Sequence, residues 1–267
     1  MNDRLDAVNT QLERQRVRAA FDRAATRYDA AAGLQRRAAE RLLAHVQALG
    51  ADPTAILDTG CGTGYGMQLL RAQYPEAALH ALDIAPGMLR QARLECASAQ
   101  GYVCADAEQL PLRDGSIDLL WSSAMLQWCN DLPKVCAGFN AVLMRGGLLA
   151  FATFGPATLG ELRAAFDDGY THVSRFADIP AIDAALRGAG FREISMERRR
   201  TVLYYPDVKA LLHSIKAIGA GNATAGRARG LTGKRRWAAM RARYEAFRTE
   251  RGLPATYELI YATARRD

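Results

Sequence analysis

The stretch ILDTGCGTGYG, Ile56 to Gly66, constrains this chain more than any other. Ala55-Ile56-Leu57 is too short for a helix and apolar throughout, which suits a parallel strand buried on both faces. Asp58 ends that run, glycines follow at 60, 62 and 64, and Met67 to Ala72 suits a helix. A strand, a glycine turn and a helix start make a nucleotide-binding turn, whose dinucleotide form is Gly-x-Gly-x-x-Gly. Here the third glycine arrives one residue early. Asp58 also sets a carboxylate where a pyrophosphate would lie, and like charges repel. A cationic or zwitterionic nucleoside is the better guest, and S-adenosyl-L-methionine, with its sulfonium and ammonium groups, is of that kind. The same glycines also suit a purely structural turn, so other parts of the site have to decide.

Those parts recur along the chain. Ala78 to Leu82 is a second apolar strand ending at Asp83, followed by a helix from about Pro86 to Ala99 with proline well placed at its start. Tyr102 to Cys104 precedes Asp106, and Ile117 to Trp121 ends at Ser122. A helix near Leu132 to Leu143 leads through Arg145-Gly146-Gly147 to a fifth strand, Leu148 to Thr153. Such alternation predicts an α/β fold with a parallel sheet, helices on its faces and a ligand beyond the carboxyl ends of its strands. Asp58, Asp83, Asp106 and Ser122 would then look into one crevice.

For an adenosylmethionine guest each has a task. Asp83, about twenty residues past the turn, would accept from the ribose hydroxyls with Ile84 beside it. Asp106 would accept from the adenine amino group, with backbone groups of Ala107 or Glu108 at the ring edge. Gly60, Cys61, Gly62 and Gly64 form the cradle, and Gln127 would hold the amino-acid part. Met88 suits ordinary core packing or the adenine face. A turn or cap role is open for Asp83 and Asp106.

LDTGCGTG, the acid in ALDIAPGML and the run ADAEQLPLRDGSIDLLWSS resemble the cofactor motifs of the class I adenosylmethionine-dependent methyltransferases, over roughly Ala55 to Phe154. That resemblance implies a Rossmann-like sheet of seven strands, the last antiparallel, with FREISMERRR and TYELIYATA as the final two. The residues between them would form an inserted helical cap. The expected layout is N-terminal helices covering the cofactor site at 1–54, a cofactor-binding core at 55–204, a basic cap at 205–256 and the last strand at 257–267.

AFDRAATRYDAAAGLQ, LQWCNDL, HVSRF, SIKAIGAGNA and LPATYELIY together resemble one subfamily, the malonyl-acyl-carrier-protein O-methyltransferases of biotin synthesis. The resemblance implies methyl transfer to the free carboxylate of a malonyl thioester, on acyl carrier protein or on coenzyme A. A carboxylate with a pKa of about 4 is already ionised at neutral pH, so the site needs no general base. It needs orientation, a cation and walls that exclude water. Arg175 is the expected cation with His172 second, and Tyr28 and Trp128 are the expected walls; surface pairing for Arg175 and core packing for the aromatics stay open.

Composition fits this reading. The 267 residues suit one large domain or a domain with an insertion, and the net charge of +7 suits an acidic partner. Arginine and lysine crowd 227–251, where they would either steer a carrier or make a solvated helix face. Five cysteines form no Cys-x-x-Cys pair and four histidines are scattered, which predicts buried thiols and neither zinc nor a disulfide framework. The start lacks a signal-peptide core and no apolar run approaches about eighteen residues, so a cytoplasmic chain with no membrane segment is expected. No Asn/Asp-Pro-Pro-aromatic turn follows the fourth strand, which argues against a nucleic acid substrate. A carbon or oxygen methyltransferase of a quinone precursor is the closest rival, and it would want a positioned base.

Overall fold

Ile56 and Leu57 lie on opposite faces of β1 (Ala55–Thr59), and each enters a different apolar core. β1 is flanked by two parallel neighbours, β2 (Ala78–Asp83) and β4 (Ile117–Ser123), with β3 (Gly101–Cys104) beyond β2. β5 (Leu143–Phe154) continues the parallel set, and β7 (Leu253–Arg266) inserts antiparallel between β5 and β6 (Phe191–Tyr205). The seven strands run in the order β3-β2-β1-β4-β5-β7-β6. The order reverses between β1 and β4, and a crevice opens there at the carboxyl ends of the strands. The computed structural model describes residues 12–166, 174, 176–220 and 233–267.

One face is covered by α3 (Gly33–Ala48), α4 (Tyr65–Gln73) and α5 (Pro86–Glu95), whose Leu42, Met67, Leu70 and Ala92 pack on Ile56, Leu79 and Trp121. The other is covered by α6 (Leu132–Val142) and α8 (Ile179–Gly188), with Val135, Phe139, Ile182 and Leu186 on Leu57, Leu120 and Phe151. Ahead of the sheet, α1 (Arg14–Ala24) and the single turn α2 (Tyr28–Ala31) cross the strand ends. A short helix, α7 (Gly160–Ala165), follows β5. Between β6 and β7 stand α9 (Val208–Ala217), which packs on α2 and β6, and α10 (Lys234–Glu245), which packs on α7. Among the described residues no helix is long and apolar enough to cross a membrane.

Several boundaries differ from the sequence reading for local reasons. β5 starts at Leu143 rather than Leu148, because the chain passes the glycines with Gly146 at φ +74° and absorbs the irregularity as a register shift opposite β4. α5 stops at Glu95, since Cys96 leaves the helix at φ −140°. β6 and β7 pair without a break from Thr201↔Tyr257 to Tyr205↔Leu253, so the inserted segment is shorter at both ends than 205–256. Of the thiols expected to be buried, Cys61, Cys96 and Cys136 are, while Cys129 is half-buried and Cys104 exposed.

Candidate active site

The glycine turn is tied to the next strand by backbone. Gly60 N and Cys61 N both donate to Leu82 O, at 2.7 and 3.1 Å, which folds the turn back over the end of β2. Gly60 adopts φ +74°, and a Cβ there would lie 2.3 Å from Met125 Cγ, so nothing larger fits. Gly62 adopts φ +54° with open space above its Cα, a cradle that any side chain would fill. Its N–H donates to Asp83 Oδ2 at 3.0 Å, while Ala85 N donates to Oδ1 at 2.8 Å. Both Asp83 oxygens thus accept from the backbone, with a further pull from Ile84, and the carboxylate is fixed where it borders the crevice.

Asp58 and Asp83 are both buried. Burial lifts the Asp58 pKa to about 8, with the Asp83 charge adding to it. Burial also lifts Asp83, to about 6, against the pull of its bonds from Ala85, Gly62 and Ile84. Two acids held this far above their ordinary range form a site that a cation would relieve. Nearby, Trp121 Nε1 and Ser123 Oγ are buried without a hydrogen-bond partner, as is Arg36 Nε. These atoms border a lobe that also contains Tyr28, Gln35, Asp58, Cys61 and Thr63.

A second lobe runs from Gly60 and Gly62 to the end of β3, lined by Asp83, Ile84, Met88, Asp106 and Ala107. Its cover comes from α1, through Arg14, Val17 and Phe21. Arg14 Nη1 meets Asp106 Oδ2 at 2.6 Å, and Nη2 pairs with Glu108 Oε2, whose side chain is 3% exposed. Leu12 and Asn130 exchange two hydrogen bonds, Leu12 N to Oδ1 at 2.7 Å and Nδ2 to Leu12 O at 3.1 Å. Tyr28 touches both lobes, and burial together with Asp83 and Asp29 pushes its phenol upward, so it stays protonated.

Beyond these lobes lies an apolar chamber of about 400 Å³. Phe154, Leu159, Leu162, Phe166 and Phe176 form one side, and Leu212, Ile215 and Ile218 of the α9 region form another. Trp128 is a wall common to the chamber and the β3-side lobe, and Gln35 is common to the chamber and the Asp58 lobe. Phe21 meets Trp128 edge-on at 5.1 Å, which braces that wall from the α1 side. Tyr257, on the far wall, hydrogen-bonds Tyr205, and burial first and Tyr205 second push its phenol up.

Four residues expected at the cofactor do not line either lobe. Ser122 is fully buried and donates to Thr59 O at 2.9 Å, so the next residue, Ser123, faces both lobes instead. Gly64 lines neither lobe; a Cβ there would lie 3.0 Å from Ala92 Cα, so its smallness serves the approach of α4 to α5. The Gln127 amide donates to Ala124 O and accepts from Thr153 Oγ1 at 3.1 Å, and it borders the chamber. Glu108 lies outside the lobes, with Oε1 accepting from Asn130 N at 2.7 Å. Arg175 and His172 lie outside the described residues. Arg14, Phe21, Gln35, Arg36 and Met125 also line these spaces, and nothing in the sequence singles them out, although Phe21 and Gln35 fall within the run AFDRAATRYDAAAGLQ.

Residues 57–151 match the model of a methyltransferase domain. The chain is 50% identical over 264 residues to the malonyl-[acyl-carrier protein] O-methyltransferase of Laribacter hongkongensis, with 94% of this chain and 89% of that protein covered. It is 44% identical over 273 residues to the like-named protein of Nitrosospira multiformis, covering 95% and 89%. Among solved structures, a SAM-dependent methyltransferase of Thermotoga maritima superposes with a TM-score of 0.57 at 15% identity, over 94% of this chain and all of that one. At that identity the structural match speaks for the fold.

Proposed function

The chain belongs to the malonyl-[acyl-carrier protein] O-methyltransferase family, and from that premise we propose that it methylates the free carboxylate of a malonyl thioester with S-adenosylmethionine as donor. The product is the malonyl methyl ester, a primer with its charge masked for biotin synthesis. Bound, the donor supplies an electrophilic methyl group on a sulfonium. The two lobes fit it: open space over Gly62, raised acids at 58 and 83, and partnerless polar atoms on Trp121 and Ser123 suit a cationic, polar guest. Asp83 would hold the ribose, Asp106 the adenine amino group, and Asp58 would face the cationic end. Arg36, with its Nε buried and partnerless, would meet the carboxylate of the amino-acid part.

One observation favours carboxyl methylation over methylation of a phenol or carbon acid. Among the described residues lining the chamber there is no aspartate, glutamate or histidine, and the one phenol, Tyr257, is held protonated. A carbon acid would need a base there. A carboxylate does not, so the residues have only to orient it and keep water away. Trp128 and Tyr28 would form the walls near the methyl group.

The carrier partner belongs to the same proposal. α10 and its surroundings expose Lys234, Arg235, Arg241 and Arg248, a positive face suited to a small acidic protein; Arg227 and Arg229 lie outside the described residues. Carrier-bound substrate and donor are cytoplasmic, and the reading places the chain there. Incubation of labelled S-adenosylmethionine with malonyl, acetyl and unacylated carrier protein, followed by mass analysis of the acyl group, tests the whole. Label on the malonyl group alone is expected; label on a phenolic quinone precursor and none on malonyl carrier would reject it.

A further inference from the structure

A carboxylate leaves water for an apolar chamber only toward a partner that replaces its hydration. Among the described residues lining the chamber, Lys216 is the one charged side chain, and it is exposed, so its ammonium keeps contact with water while its stem borders the apolar walls. It stands in the last turn of α9 and pairs with no acid among the described residues. The segment that follows it packs on α1, which covers one of the two lobes. Gly219, at φ +72°, lies so close to α1 that a Cβ there would sit 3.1 Å from Phe21 Cδ1 and 3.3 Å from Ala20 O. Phe21 lines the adenine-side lobe and braces Trp128, the wall between lobe and chamber. Residues 216–220 thus border the chamber and buttress the wall that divides it from the donor.

We propose that Lys216 is the cation that selects the free carboxylate, which makes the chamber a seat for an ω-carboxyacyl thioester. This rests on the reaction proposed above. In that reaction a carboxylate oxygen bonds to the methyl carbon as the carbon–sulfur bond breaks, its electron pair stays on sulfur, and no proton moves. Both charges vanish together. The attraction between Lys216 and the carboxylate is therefore strongest before transfer and fades along the reaction. A cation so placed favours binding and selectivity over the chemical step, and its loss raises KM while leaving kcat the same or higher. The same fading favours release of the neutral ester.

Lys216→Met and Lys216→Arg variants test this with two substrates, malonyl carrier protein and the malonyl thioester of N-acetylcysteamine, which lacks the phosphate of the carrier's arm. Lys216→Met is expected to raise KM on both substrates by about tenfold or more, with kcat equal to that of wild type or higher. Lys216→Arg should restore most of the loss, and affinity for S-adenosylhomocysteine should be unchanged in both. A KM rise confined to the carrier substrate would overturn the assignment in favour of the phosphate or the carrier surface. So would a fall in kcat at constant KM. An active wild type whose Lys216→Met variant keeps its KM overturns the Lys216 assignment alone, whereas a wild type inert on both thioesters overturns the reaction reading and the assignment with it.

Discussion

The donor lobes and the chamber handle opposite charges in opposite ways. On the donor side Asp58 and Asp83 are buried ahead of any guest, and backbone N–H groups of Gly62 and Ala85 hold Asp83 in place. On the chamber side aromatic and aliphatic walls carry a single described cation at α9. In the proposed reaction a cationic donor would meet two acids already held in place and dry, with Asp58 giving up its proton as the cation binds. An anionic acceptor meets mostly apolar surface, which strips water from it and leaves it reactive. On the proposed reading, buried acids would hold the donor and apolar walls would guide the acceptor.

The comparison breaks most sharply at Asp83. Asp83→Ala strands two ligand hydroxyls and two backbone donors, and the cofactor should bind about 2 to 4 kcal/mol more weakly by calorimetry, the cost of unpaired buried polar groups. The KM for a malonyl thioester, measured at saturating donor, should move little. An equal loss for both substrates would mean that the lobes and the chamber are not separate devices.

Asp58 sharpens it through pH. Its pKa is raised from 3.8 to about 8 in the free protein, so the folded state holds a proton that the unfolded chain gives up. Stability is then fullest below the unfolded value and declines as pH rises from about 4 toward 8. Asp58→Asn should therefore raise the Tm at neutral pH, at about 2 to 4 °C per kcal/mol for a domain of this size. Binding of a cation favours the ionised carboxylate, so cofactor affinity should rise with pH up to about 8, by at most tenfold per unit, and flatten above it. In Asp58→Asn the part of that slope above about pH 6, where Asp83 is already ionised, should vanish while affinity falls. A Tm unchanged by the substitution, together with a flat affinity profile in the parent, would remove Asp58 from the account.

Arg14→Met should act on the cover of the donor side alone. It leaves Glu108 buried with one fewer partner, for a loss of about 1 to 2 kcal/mol of stability after allowing for the half-exposed arginine. Limited proteolysis of the amino-terminal segment should quicken while the chamber's KM stays put. The smallest effect belongs to the positive face. Neutralising Lys234, Arg235 and Arg241 should slow association of malonyl carrier protein severalfold at low salt and barely touch a small malonyl thioester.

The donor side was legible because its chemistry follows the sheet. Acids at the ends of β1, β2 and just past β3 fall at spacings that a parallel fold dictates, and Asp58, Asp83 and Asp106 all border the lobes. Ser122 shows the limit of that method, since a strand alternates faces and an error of one residue puts the hydroxyl on Thr59 O instead of in the lobe. Gly64 shows another, because a repeated glycine does not say whether a ligand or a neighbouring helix comes close. Arg14 was out of reach for a different reason. Its partners lie 92 and 94 residues away, and nothing in a charged helical segment announces a contact at that separation. The chamber was harder still, for its walls come from β5, α7, α9 and β7, and only folding brings them together.

The central claim is that the protein orients a nucleophile already charged and removes no proton. The most direct measurement is kcat against pH from about 6 to 9 on a malonyl thioester, with donor and acceptor both saturating, since kcat reports groups titrating in the bound complex. A malonyl carboxylate stays ionised throughout that range, and a bound sulfonium keeps Asp58 ionised as well, so the account predicts a flat profile. A kcat that climbs with pH along a single titration between 6 and 9 would reveal a general base and contradict it.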